Sequence, residues 1–233
     1  WFEGHDYEYV KTFDVPAAYE GMAVTFEFEG VYRNAEVYIN GEKAMYRPYG
    51  YTNFYVPAED FLRFGQTNEM RVVARNADQP NSRWYSGAGI YRPVTMYVQP
   101  KKRIPLGGVR IRTLEIKPAV VEIKVATSEP GEVSVTIARG GRVVAELTAE
   151  SGTEAVFAAE IPDAELWSPD SPALYTCTAR FGDDEAVETF GVRKIECDAV
   201  SGFRVNGERV IIRGACIHHD NGILGAVNHP FAD

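Results

Sequence analysis

The chain has 233 residues, 45% of them hydrophobic, with a formal net charge of −9 and a pI near 5.1. An acidic surface without clustered Lys and Arg excludes a nucleic-acid binder that works by displacing phosphate counterions, and no apolar run approaches the ~20 residues of a membrane-spanning helix. Enough apolar residues are present to fill more than one core, so more than one domain is expected.

From the N-terminus the dominant pattern is alternation with period two, the mark of strands with one buried face. Met22, Val24, Phe26 and Phe28 alternate with Ala23, Thr25, Glu27 and Glu29. Ala35, Val37 and Ile39 alternate with Glu36 and Tyr38, and the run ends at Asn40-Gly41, a dipeptide suited to the positive φ angles of a type I′ hairpin. A short helical turn is expected near 57–64, and Val94, Met96 and Val98 continue the alternation. Most aromatic residues lie before Pro100.

A seam falls at Gln99-Pro100-Lys101-Lys102, where the basic run ending at Arg103 reads as a solvated linker. Short strands follow, such as 121–125 and 133–137, with Gly140-Gly141 and Asp183-Asp184 as turns. Their regular spacing over about a hundred residues predicts an immunoglobulin-like sandwich, without the Cys…Trp…Cys spacing of antibody domains. Trp167 reads as a core residue. The hairpin pair Asn206-Gly207 then leads into Arg209-Val210-Ile211-Ile212-Arg213-Gly214, a buried-type strand ending in Cys216-Ile217-His218-His219-Asp220. Titratable groups where an apolar strand runs out suit the catalytic face of a (β/α)8 barrel, which needs ~250 residues in all. The expected division is 1–100, 101–197 and 198–233.

Three cysteines, Cys177, Cys197 and Cys216, are widely spaced and form no C-x-x-C pair. They read as buried reduced thiols rather than a disulfide framework or zinc site, which favours a cytoplasmic setting. Glu27 and Glu29 lie two apart on a polar strand face and lack the contrasting environments that separate an acid from a base, so they read as solvated. His218 and His219, as strand neighbours, point to opposite faces and cannot easily share one metal ion.

Several segments together resemble the start of family 2 glycoside hydrolases of the β-galactosidase type. They are Lys11-Thr12-Phe13, Phe28-Glu29-Gly30-Val31 leading to Ala35–Gly41, Gly50-Tyr51-Thr52-Asn53-Phe54, Asn81–Arg92 with its Arg83-Trp84-Tyr85, Leu166–Pro172 with Leu174-Tyr175, Phe190-Gly191-Val192-Arg193, and Phe203–Gly225. The resemblance implies an all-β chain: a sugar-binding jelly roll, an immunoglobulin-like sandwich and the first strand of a truncated barrel. It departs from the family at Tyr9-Val10, where an aromatic and an arginine are usual.

The resemblance further implies a parent enzyme that hydrolyses terminal β-D-galactosides with retention, using two glutamates ~5–5.5 Å apart that lie beyond Asp233, so no catalytic residue is expected within this stretch. His218 is expected to face the sugar at the cleaved subsite, and Arg83 to touch substrate from the rim; Trp84 is expected to be mostly structural. Gly87 and Gly89 are expected to serve backbone geometry. No cofactor is implied here, though the parent's chemistry leaves room for a divalent cation. The implied partner is a β-linked sugar, with no nucleic acid or membrane, and a homo-oligomer is compatible with it. Rival readings are a β-glucuronidase or β-mannosidase parent, a non-catalytic carbohydrate-binding module with its own cleft in residues 1–100, or a sandwich serving subunit contacts.

Overall fold

A computed structural model describes residues 5–78 and 88–216. The chain divides into two compact units, one built on Trp1–Gln99 and the other on Pro100–Gly214.

In the first unit, β1 (Asp6–Val15), β4 (Ala35–Ile39), β5 (Glu42–Arg47) and β7 (Gln66–Arg75) form one antiparallel sheet in the order β1-β7-β4-β5. A second sheet has the order β6-β2-β9, from β2 (Ala23–Phe28), β6 (Phe54–Pro57) and β9 (Val94–Gln99). The small pair β3 (Val31–Tyr32) and β8 (Gly89–Ile90) sits beside them. The alternation in sequence is what buries one face of each sheet. Val24 and Phe28 from one sheet and Val37, Ile39 and Ala74 from the other are fully enclosed in a single core, and Phe28 stacks on Phe54 with centroids 5.0 Å apart. Each such side chain contributes roughly 1.5–3 kcal/mol relative to exposure.

Asn40 and Gly41 take φ of 51° and 89°, closing the β4–β5 hairpin as the sequence requires. The Asn40 side chain also donates to Asn68 Oδ1 at 2.7 Å and to the Phe61 carbonyl at 2.8 Å. The turn expected within 57–64 is a single hydrogen-bonded loop, with the Leu62 and Phe61 amides donating to the Ala58 carbonyl; the described helix is the short 3-10 segment Ala17–Tyr19.

The second unit is a seven-stranded antiparallel sandwich. One sheet has the order β10-β11-β14, from β10 (Val109–Ile116), β11 (Ala119–Ala126) and β14 (Glu154–Glu160). The other has the order β13-β12-β15-β16, from β12 (Gly131–Arg139), β13 (Arg142–Ser151), β15 (Tyr175–Phe181) and β16 (Asp184–Phe190). Val121, Ile123, Val125, Val133 and Ile137 are each 0% exposed at its centre. The basic stretch 101–103 is solvated, with Lys101 and Lys102 exposed, and yet anchored: Lys102 lies over the Phe181 ring at 4.7 Å, and the Arg103 amide donates to Ser128 Oγ at 2.9 Å. Trp167 is half-buried rather than central, with Arg193 over its ring at 4.4 Å and Gly191 pressed against its Cβ.

Beyond this sandwich, β17 (Ile195–Asp198), β18 (Gly202–Val205) and β19 (Glu208–Arg209) make a small three-stranded sheet. It is anchored on the second unit through Asn206, whose Nδ2 donates to the Trp167 carbonyl at 3.0 Å. The buried-type strand expected at 209–214 does not form. Strand pairing stops at Arg209, and Ile211 and Ile212 are 69% and 72% exposed. A strand buried on both faces needs a neighbour on each side, and the described residues supply none.

Candidate functional site

The connection between β5 and β6 is shaped by two glycines that touch aromatic rings. A Cβ added at Gly50 would lie 2.6 Å from the Tyr32 ring and 3.0 Å from the Tyr32 Cα, so only glycine lets this loop rest on β3. Gly30 is likewise closed by the Tyr91 ring, and the Tyr91 hydroxyl donates to the Gly50 carbonyl at 2.7 Å. Burial pushes the Tyr91 phenol above its ordinary pKa, so it stays a donor. A further bond, from Arg47 Nη2 to Thr52 Oγ1 at 2.7 Å, spans the loop.

The flanking tyrosines are thereby held out toward solvent. Tyr49 and Tyr51 are each 56% exposed, with their rings 5.9 Å apart, and Tyr32 packs against Tyr51 at 5.0 Å. Arg92 lies 5.7 Å over the Tyr91 ring.

Next to this loop in sequence, the outer face of the β1-β7-β4-β5 sheet forms a polar cleft of about 490 Å³ lined by Asp6, Asn34, Glu36, Lys43, Tyr46, Arg75, Ala77 and Asp78. Glu36 is its electrostatic centre, accepting from Lys43 at 2.8 Å and Arg75 at 2.9 Å. The Lys43 bond and then the Arg75 guanidinium hold its carboxyl below the usual range, outweighing its desolvation. Arg75 also reaches Asp6 at 3.3 Å, and the Tyr46 hydroxyl donates to Asn34 Oδ1 at 3.3 Å. Glu36 and Tyr38 are the polar half of the alternation whose apolar half, Val37 and Ile39, fills the core.

Glu27 is not simply solvated. Burial alone would raise its pKa, but hydrogen bonds from Asn53 at 2.7 Å and Tyr97 at 3.0 Å prevail and hold it low. A carboxylate held ionised by fixed donors is a poor general acid. Among the described residues no group of three or more His, Cys, Asp or Glu side chains is placed to hold a metal ion.

Of the residues singled out in the sequence, Arg83 and His218 lie outside the described residues, as do Trp84, Tyr85 and Gly87. Gly89 has φ of 77° and meets the Tyr9 hydroxyl, which accepts from the Ile90 amide at 3.3 Å, so it serves backbone geometry and close approach. The cleft was missed because its residues come from four strands, and Asp6 and Arg75 are 69 positions apart. The tyrosine loop left a signal in the segment Gly50–Phe54 and in the aromatic richness of the first hundred residues.

Comparison with known proteins gives a consistent picture. Residues 108–193 match the model of the glycosyl hydrolases family 2. The chain is 38% identical to β-galactosidase BoGH2A of Bacteroides ovatus, over 94% of this chain and 28% of that protein. A family 2 glycosyl hydrolase of Bacteroides cellulosilyticus superposes with a TM-score of 0.86 at 31% identity, covering 99% of this chain and 34% of the other. The β-glucuronidase of Bacteroides uniformis superposes with a TM-score of 0.83 at 25% identity, over 98% of this chain and 31% of its own. The chain thus spans about a third or less of each of these relatives, and the family whose model it matches, over residues 108–193, is glycosyl hydrolases family 2.

Proposed function

We propose that this chain is the N-terminal part of a retaining exo-glycosidase that hydrolyses terminal β-D-galactosides. The observation that carries the reading is the 38% identity to a β-galactosidase across 94% of the chain. Its two sandwiches support and border a catalytic domain whose paired glutamates lie elsewhere in the parent, and the chain alone turns nothing over. A β-glucuronidase parent is the second reading, favoured by the likeness to the B. uniformis enzyme. In this proposal His218 hydrogen-bonds a sugar hydroxyl whose contacts tighten as the ring flattens toward an oxocarbenium-like state, and Arg83 meets substrate at the rim.

The test is hydrolysis of p-nitrophenyl β-galactoside, β-glucuronide and β-mannoside by the full-length parent and by the 233-residue chain. The expected result is turnover of the galactoside by the parent alone. His218→Ala in the parent should lower kcat/KM by ~10²–10³ with folding intact. A parent that prefers the glucuronide replaces the first reading with the second. Turnover by the chain itself would overturn the proposed division of labour.

A further inference from the structure

Among the described residues, three of the four carboxyls held below their ordinary range touch a cation. Glu36 has Lys43 and Arg75, Glu122 has Arg112, and Asp198 has Arg204. Glu27 differs. Against the cost of its burial it is held ionised by Asn53, Tyr97 and Tyr55, all of them neutral. None of the three strands of its sheet, β6, β2 and β9, carries a Lys or Arg. Glu29, just past the end of β2, adds a second negative charge near Tyr97.

The order β6-β2-β9 places a tyrosine on each side of this carboxylate. Glu27 stands directly opposite Tyr55 on one neighbour, and Tyr97 on the other stands opposite Thr25, one diagonal step away. All three belong to the outer half of an alternation whose inner half, Phe26, Phe28 and Val56, fills the core. Glu27 is half-buried and Tyr55 is 38% exposed, so the group can be reached from solvent.

The donors leave the carboxylate with capacity to spare. Asn53 donates to Oε1 at 2.7 Å and the Tyr97 hydroxyl to Oε2 at 3.0 Å, whereas a carboxylate accepts about four such bonds. A metal ion is a poor fit, because a single carboxylate cannot supply the six or so oxygens that a hard cation takes. An ammonium would give up strong hydration for one partner. A guanidinium is planar and weakly hydrated, stacks on aromatic faces and offers a fork of N–H groups to a carboxylate. The site is fixed in advance by its own donors, so little ordering opposes binding. An outer sheet face is also open rather than concave, which suits a side chain delivered by another protein surface better than a free small molecule.

We propose that the outer face of the β6-β2-β9 sheet docks a partner protein through an arginine, whose guanidinium lies between the Tyr55 and Tyr97 rings and donates to Glu27. The surface consists of first-unit residues alone and is independent of the hydrolytic reading.

The test is an NMR titration of the 233-residue chain with the peptide acetyl-Gly-Arg-Gly-amide and with its lysine and citrulline counterparts. Saturable shifts are expected at the Tyr55 and Tyr97 rings and the Asn53 side-chain amide, at millimolar peptide. The arginine peptide should bind several-fold more tightly than the lysine one. Citrulline, which keeps the shape and loses the charge, should bind about tenfold more weakly or worse, and Glu27→Gln should cost the same, the loss expected of a charge-assisted hydrogen bond. Tyr55→Leu should erase the preference for arginine over lysine, with circular dichroism and Tm showing both variants folded. Absence of shifts at these three residues overturns the proposal. So do a citrulline or lysine peptide that binds as tightly as the arginine one, and a Glu27→Gln variant that binds unchanged. Movement of the same signals on concentrating the chain without peptide also overturns it, in favour of a second copy as the occupant.

Discussion

Asn68 shows how much one polar side chain can organise. It is 1% exposed, and its amide donates to the Arg63 and Gln66 carbonyls, each at 3.0 Å, while Oδ1 accepts from Asn40 Nδ2 and the Arg63 amide. Asn68→Ala would remove four hydrogen bonds, although Asn40 Nδ2 keeps its bond to the Phe61 carbonyl, and should cost about 3 kcal/mol in urea unfolding, since buried polar groups without partners are expensive. The cysteines also separate at this scale. Burial, with the Glu188 carboxylate nearby, pushes the Cys177 thiol up to about 11, while Cys197 and Cys216 are exposed. The sequence reading of three buried thiols therefore holds for one. In a thiol-reactive dye assay at mildly alkaline pH, two thiols should react promptly and the third only after denaturation, because the thiolate is the reactive form. Three fast thiols would contradict the packing around Cys177.

At the scale of elements, the strands were legible wherever one face meets the chain's own core. Val37 and Ile39, or Ile123 and Val125, announce their burial by alternation, and Asn40-Gly41 announces its turn through φ angles that few other residues accept. The segment 209–214 carries an equally apolar pattern, yet its burial depends on partners from elsewhere, and local pattern holds no information about them. The polar cleft was illegible for a related reason: polar strand positions look alike in sequence whether they face open water or converge.

The turn between β17 and β18 offers a titratable check. Hydrogen bonds from the Ser201 hydroxyl and the Ser201 and Val200 amides, with Arg204 nearby, bring the Asp198 carboxyl down to about 2. A folded-state pKa below the unfolded one means that the contribution is present above the ordinary aspartate value of ~3.9 and is lost as pH falls through about 2. NMR of the Val200 and Ser201 amides should therefore show the turn loosening between those values, and Asp198→Asn should remove that transition. A titration midpoint near the ordinary value would refute the capping geometry.

For the whole molecule, the exposed pair Ile211 and Ile212 follows a hairpin that is firmly seated through Asn206. An apolar segment presented on a fixed support invites pairing with another chain. Concentration-dependent self-association is expected by light scattering, and Ile211→Ser/Ile212→Ser should reduce it. Equal behaviour of both proteins would show that this segment is not the adhesive one. Composition and period reveal the two sandwiches, whereas only the family likeness suggested a chemistry, because no pattern within these strands marks one.

The loop that presents Tyr49 and Tyr51 is held in place by what Gly50 lacks. Tyr32 and Tyr91 fix the backbone through a position that tolerates no side chain, so Tyr49 projects from a rigid frame, while Tyr51 keeps a ring contact with Tyr32. Such an arrangement is open to evolutionary tinkering. Position 49 can sample new side chains while the frame stays the same, and selection against change falls on the glycine that follows it.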